Sequence, residues 1–143
     1  MTSRVMDTKD LLEKINTYCK GTLMETLDIE YVAIDADSLT AKMPVTPKVH
    51  QPDGVLHGGA TLALAESVGS AAAQVLIAEG RAQIRGLELS GNHLKSVRSG
   101  YVWAKATVLH RGRTTQFWQI HVTDDQGALV SVVKFTTMIL TRD

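Results

Sequence analysis

Cysteine is nearly missing from this chain: Cys19 is the one thiol in 143 residues. No intrachain disulfide can form, and a chain of this length buries a core without one. The count fits a reducing cytoplasm. Excess charge of either sign is missing too, because Lys plus Arg equals Asp plus Glu. That balance does not support the broad basic surface a nucleic-acid partner needs, and it does little to oppose self-association. The first ten residues lack the apolar stretch of a secretory signal. The longest apolar-rich run is interrupted by a carboxylate and small polar residues, so no membrane span is expected. There is no glycine-rich nucleotide loop and no Gly-x-Ser-x-Gly elbow. His50, His57, His93, His110 and His121 are scattered without zinc spacing. Neither a metal nor a cofactor is expected. No repeat, low-complexity stretch or linker divides residues 1–143, which read as one domain.

What the chain does have is one carboxylate in an unusual setting. Residues 54–78 are almost all small or apolar and predict a helix buried nearly all round. Glu66 sits in its middle, with no Lys or Arg between Lys48 and Arg81. A carboxylate in such surroundings must be protonated, partnered or facing a cavity. Just before it, His57-Gly58-Gly59 forms a bend whose backbone N–H groups open onto the helix N-terminus. A carboxylate beside an anion-stabilising backbone site has the parts of a hydrolase.

The remaining pattern places this helix in an α+β layout. Asp7 to Lys20 predicts a first helix, capped by Asp7 or Thr8 and ended by Gly21. Ile29–Ile34 and Leu39–Pro44 predict a hairpin, and 46–56 a loop. Ile84–Leu94, Tyr101–Leu109, Thr114–Thr123 and Leu129–Leu140 predict antiparallel strands joined by hairpins. A helix apolar on most sides calls for a curved sheet wrapped around it.

Two stretches carry a family resemblance: Gln51-Pro-Asp-Gly-Val-Leu-His57-Gly-Gly-Ala60 and Leu64-Ala-Glu66-Ser-Val-Gly-Ser70. Gly86 to His93, Leu109 to Gly112 and Trp118 to Ile120 add to it. Together they resemble the hotdog-fold acyl-CoA thioesterases. The nearest branch looks like that of the Arthrobacter-type 4-hydroxybenzoyl-CoA thioesterase. That branch also holds the 1,4-dihydroxy-2-naphthoyl-CoA thioesterase of menaquinone synthesis and the enterobactin proofreading thioesterase. The resemblance implies a hotdog core over 27–140, a curved antiparallel sheet around one long central helix. Residues 1–26 then form an N-terminal helical segment.

The resemblance also assigns roles. Glu66 attacks the thioester carbonyl or activates a water that does. Gly58 offers its N–H to the carbonyl oxygen, Gln51 lies near that oxygen, and His57 supports the loop. Ser70, one turn after Glu66, either hydrogen-bonds the carboxylate or water, or packs as a small residue; Ser67 is a weaker candidate. Asn92 and His93 match the segment near the pantetheine arm. A CoA nucleotide demands cations, and Lys95, Arg98, Arg111 and Arg113 stand near strand ends; ordinary solvated turn charges explain them equally well. The acyl group is expected in an apolar pocket near the small residues Ala63, Gly69, Ala71, Ala72 and Ala73, with Gln51, Gly58 and Glu66 at its polar end.

The implied function is hydrolysis of an aryl- or acyl-CoA, with CoA part of the substrate and an acyl or aryl carrier protein as an alternative donor. The competing function is a non-catalytic acyl-CoA or carrier-protein binding module. The family further implies a cytoplasmic homotetramer, a dimer of dimers with active sites at subunit interfaces.

Overall fold

The computed structural model describes residues 6–141. Helix α1 (Thr8–Tyr18) and a short α2 (Leu23–Thr26) lead into β1 (Glu30–Ile34) and β2 (Ser38–Pro44). A 3-10 turn at Pro47–Val49 precedes the long helix α3 (Gly58–Leu76). Then come β3 (Gln83–His93), β4 (Tyr101–Arg111), β5 (Thr115–Thr123) and β6 (Leu129–Leu140). All neighbouring strands are antiparallel, in the order β1-β2-β4-β5-β6-β3. Helix α3 packs against β2, β3, β4, β5 and β6, so the sheet wraps around it in the hotdog arrangement.

Strand alternation builds the inner face. Val102, Ala104 and Ala106 of β4 and Trp118, Ile120 and Val122 of β5 are fully buried, while Lys105 and His121 between them are exposed. Leu64, Ala65, Val68, Ala72 and Ala73 of α3 meet that face. Fully burying a large apolar side chain contributes about 1.5–3 kcal/mol, so this layer anchors the helix. The helix sits close because Gly69 has no side chain: a Cβ there would lie 2.5 Å from Phe135 Cδ1 and 3.1 Å from Ile120 Cδ1.

Three expectations are corrected. Helix α3 is not buried all round. Its buried residues are Thr61, Leu64, Ala65, Val68, Gly69, Ala72 and Ala73, whereas Glu66 is exposed in the single chain. One sheet covers only one side of a helix, and α1 and β1 leave the opposite side as a groove. Second, β3 and β4 are not a hairpin. Strand β3 lies at the far edge beside β6, and residues 94–100 carry the chain across the N-terminal end of α3. That crossing is pinned by Leu56 N–H to the Val97 carbonyl and Leu94 N–H to the Val130 carbonyl, both at 2.8 Å. The Arg98-Ser-Gly100 turn reverses the chain but does not choose the strand's partner. Third, the predicted terminal limits shrink. Helix α1 starts at Thr8, with Asp7 at the N-cap position making no side-chain cap bond. Helix α3 starts at Gly58, and α2, one turn long, falls below any periodicity signal.

Candidate active site

Glu66 opens onto the groove that α3 leaves uncovered. The groove encloses about 1380 Å³ between α1, α3 and the start of β3. Leu11, Ile15, Met24, Ala71, Val75 and Ile84 make it apolar, and Glu66, Ser67 and Ser70 supply polar groups from α3. Its floor carries Tyr31, whose hydroxyl donates to the Ser67 carbonyl at 3.1 Å. Burial pushes the Tyr31 phenol far up, helped by the neighbouring Cys19, and burial also raises the Cys19 thiol. Both groups therefore stay neutral. The Ser67 hydroxyl donates to the Ala63 carbonyl at 2.7 Å and is tied to its own helix. Gly86 on β3 leaves room for the carboxylate, since a Cβ there would lie 3.0 Å from Glu66 Oε1. Of the small residues expected around an acyl pocket, Ala63 and Ala71 line the groove; Gly69, Ala72 and Ala73 face the sheet instead.

The backbone donor site is a separate, smaller pocket of about 260 Å³ at the other end of the helix. Gln51, Gly58, Thr61, His93, Lys95 and Ser131 line it. Of the two glycine amides expected to be free, Gly59 N–H is spent: it donates to His57 Nδ1 at 2.8 Å. His57 thus caps the helix, and the next amides, of Ala60 and Thr61, bond to its carbonyl at 3.0 and 3.2 Å. Gly58 N–H remains as the orphan donor of the first turn, aided by the helix dipole. Gln51 is held in a tight loop by its N–H to the Val55 carbonyl at 2.8 Å. Its side-chain oxygen accepts from Asp53 N–H, so its NH2 group is the end left to donate. His93 lies against Gly58, with Nδ1 2.8 Å from the Ser131 hydroxyl.

The other expected residues separate. Asn92 precedes His93 on β3, and alternation turns it to the outer face, beside Val132. Lys95 forms an ion pair with the buried Asp124, and Arg98 donates to the Asp53 carbonyl at 3.4 Å, next to the Gln51 loop. Arg111 is paired with Asp37 at 3.0 Å and with the Ala36 carbonyl at 3.2 Å. Ala104, Val122, Ser131 and His93 form one row across the sheet near Gly58. Arg111 lies roughly 23 Å further along β4, so it and the exposed Arg113 stand at the opposite end of the same chain. Ser131 escaped sequence reasoning; its signal is a hydroxyl at an inward position of β6, where Val133 and Phe135 set an apolar pattern. Among the described residues no helix is long and apolar enough to cross a membrane, and no cluster of three His, Cys, Asp or Glu is disposed to hold a metal ion.

Within one chain, Glu66 and the Gly58 amide do not face one point. Eight residues of helix separate them, a rise of about 12 Å and a rotation of roughly 80° about the axis. Each lines its own cavity.

The chain as a whole has known counterparts. Residues 53–131, which carry α3 and the strands β3, β4 and β5, match the thioesterase superfamily. The chain is 42% identical over 132 residues to the 1,4-dihydroxy-2-naphthoyl-CoA hydrolase of Escherichia coli K12, covering 92% of this chain and 96% of that one. It is 40% identical over 129 residues to a proofreading thioesterase of Cronobacter turicensis, covering 90% and 93%. A crystal structure of a mutant thioesterase from Pseudomonas aeruginosa superposes with a TM-score of 0.88 at 39% identity, covering 96% of each chain. One from Haemophilus influenzae gives 0.86 at 36% identity, covering 96% and 93%. A groove with a helix-borne carboxylate, a pocket with a helix-end amide and these similarities together make the chain a member of the thioesterase superfamily, an enzyme that hydrolyses thioesters.

Proposed function

We propose that the chain hydrolyses an aryl- or acyl-CoA thioester to the free acid and CoA, with Glu66 as the reacting carboxylate. The observation that carries this reading is the opening of Glu66 and Ser70 onto an apolar groove large enough for an acyl group. In the reaction an oxygen, from Glu66 itself or from a water it deprotonates, bonds to the thioester carbon. The carbonyl π pair moves onto oxygen, where Gly58 N–H and the Gln51 amide stabilise it. Collapse breaks the C–S bond and CoA leaves as the thiolate, which takes up a proton. Where water attacked, its oxygen is already the second oxygen of the acid; where Glu66 attacked, a water then cleaves the acyl–Glu66 anhydride, releases the acid and restores the carboxylate. This balance uses no cofactor and no metal. Lys95 and Arg98, beside the Gly58 pocket, are the cations we assign to the nucleotide phosphates.

The site belongs to two copies of the chain. The separation of Glu66 from Gly58 along the helix supports a thioester held by Gly58 and Gln51 of one copy and attacked by Glu66 of another. The uncovered face of α3 and the edge strand β3, with Leu87 56% exposed on the strand and Leu94 60% exposed just past its end, suit such an assembly. We place the enzyme in the cytoplasm as a homotetramer, a dimer of dimers; the lone thiol Cys19 suits a reducing compartment.

Thiol release from a panel of benzoyl-, hydroxybenzoyl-, hydroxynaphthoyl- and straight-chain acyl-CoAs tests the reading. Turnover by the parent and a loss of several powers of ten in Glu66→Gln support it. Binding of acyl-CoA without turnover by the folded parent points instead to a binding module. Mixing Glu66→Gln with Gln51→Ala subunits tests the shared site. In an isologous pair, half the molecules are mixed and each regains one intact site, so about a quarter of parental activity returns. Activity no higher than the mean of the two variants would sink the shared site.

A further inference from the structure

Ser131 is fully buried on β6, directly across from His93 on β3. Its hydroxyl lies 2.8 Å from His93 Nδ1, the one hydrogen-bond partner it has among the described residues. A buried hydroxyl proton needs an acceptor, and leaving it without one is costly. If Nδ1–H donated to the serine oxygen, the hydroxyl proton would have nowhere to go. The reverse arrangement satisfies both groups: Ser131 donates, Nδ1 accepts, and the ring proton stands on Nε2. That Nε2 edge is pressed against the start of α3, for a Cβ on Gly58 would lie 2.7 Å from Nε2 and 2.8 Å from Cδ2. The ring lines the same pocket as the Gly58 amide and Gln51.

We infer that His93 is a catalytic residue whose Nε2–H is a third donor to the thioester carbonyl oxygen, and that Ser131 is the positioning residue that fixes its tautomer. The inference rests on the thioesterase reading above. No proton is transferred in this role. When the carbonyl π pair moves onto oxygen, Nε2–H shares the charge with Gly58 N–H and the Gln51 amide, and it keeps its proton when the C–S bond breaks. Strand β3 suits the task, because the sheet holds the ring more rigidly than a loop does.

Imidazole ¹H–¹⁵N spectra of the full-length parent and steady-state kinetics of variants test this. The parent is expected to show His93 with its neutral-form proton on Nε2. His93→Phe should lower kcat on the order of 100-fold, the usual effect of removing one such donor, with KM little changed. His93→Gln, which keeps an N–H donor, should recover part of the loss. Ser131→Ala should mix the His93 tautomers and lower kcat by a fraction of that amount. A parental ring protonated on Nδ1, or a His93→Phe variant that raises KM while holding kcat, would overturn the inference and leave the thioesterase reading standing. A folded parent inert on every acyl-CoA would instead remove the reading beneath it. Should Ser131→Ala fail to fold, the parental tautomer and the two His93 variants still decide.

Discussion

The imidazole of His57 accepts the Gly59 N–H at 2.8 Å and thereby closes the N-terminus of the central helix with its own side chain. Histidine does here what Ser, Asp or Asn does at most helix starts. With Gly59 occupied, the Gly58 amide is the one in the first turn left without a partner among the described residues, and so able to act on a ligand. Nδ1 accepts, so it carries no proton and the ring is in its Nε2–H form.

His57→Ala removes this cap and is expected to cost roughly 0.5–2 kcal/mol of stability. His57→Asn, whose side-chain oxygen reaches the same amide, should lose less. Thermal unfolding of the two variants beside the parent checks the order; equal losses would mean that the ring stabilises by packing and not by capping.

Gly86 sits between Phe135 and Glu66: a Cβ there would lie 2.8 Å from Phe135 Cζ and 3.0 Å from Glu66 Oε1. Gly86→Ala is expected to displace the carboxylate and lower kcat by on the order of 10–100-fold, as small misplacements of reacting groups do. The measurement is kcat on the best acyl-CoA substrate, with circular dichroism to establish that the fold persists. An unchanged kcat would show that Glu66 is not held over β3 during turnover.

Asp124 ties the β5–β6 turn to the β3–β4 crossing. The Lys95 ammonium foremost, then the amides of Ala128 and Gln126, hold its carboxyl below the ordinary aspartate value. A depressed carboxyl contributes stability that is fully present above its unfolded value and is lost as pH falls through the folded one. Acid unfolding of Asp124→Asn should accordingly be flatter than that of the parent from the ordinary aspartate value downward, with lower stability at neutral pH. Parallel acid titrations of the two proteins would refute this linkage.

Thr137 holds a buried polar chain together. Trp118 Nε1–H donates to its hydroxyl at 3.0 Å, and the hydroxyl donates to Gln116 Oε1 at 2.9 Å; Gln116 Nε2 has no partner among the described residues. Thr137→Val strips both ends at once and is expected to cost about 2–6 kcal/mol, the sum of two buried groups left unpaired. Gln116→Leu removes one unpaired amide and one bond together, so its net effect should stay within about 1 kcal/mol. Denaturant unfolding of both variants measures the contrast, and a larger loss in Gln116→Leu would contradict it.

Much of this layout was legible from periodicity and turns. The alternation of β4, β5 and β6 and the turns at Arg111-Gly112-Arg113 and Asp124 to Gly127 placed three strands to within two residues at either end. Strand β3 was placed as a strand but not beside its partner. Register and partner depend on which side chains cover α3, and that is a long-range choice. Among the aromatic residues, Trp118 and Phe135 fill the core, Tyr31 floors the groove, and Trp103 lies outside with Tyr101 and Lys42. Composition alone could not sort them.

By itself the sequence determined a small-residue helix with Glu66 at its centre, a glycine pair at its start, and enough alternating strands to wrap it. These are local properties of side-chain size, polarity and spacing. Only the tertiary structure decided that Glu66 faces a groove and not the core, that His57 takes one glycine amide and leaves the other, and that Ser131 meets His93. Each depends on residues distant in sequence or on the exact direction of one N–H bond. Periodicity constrains which face a side chain occupies, but not what waits for it there.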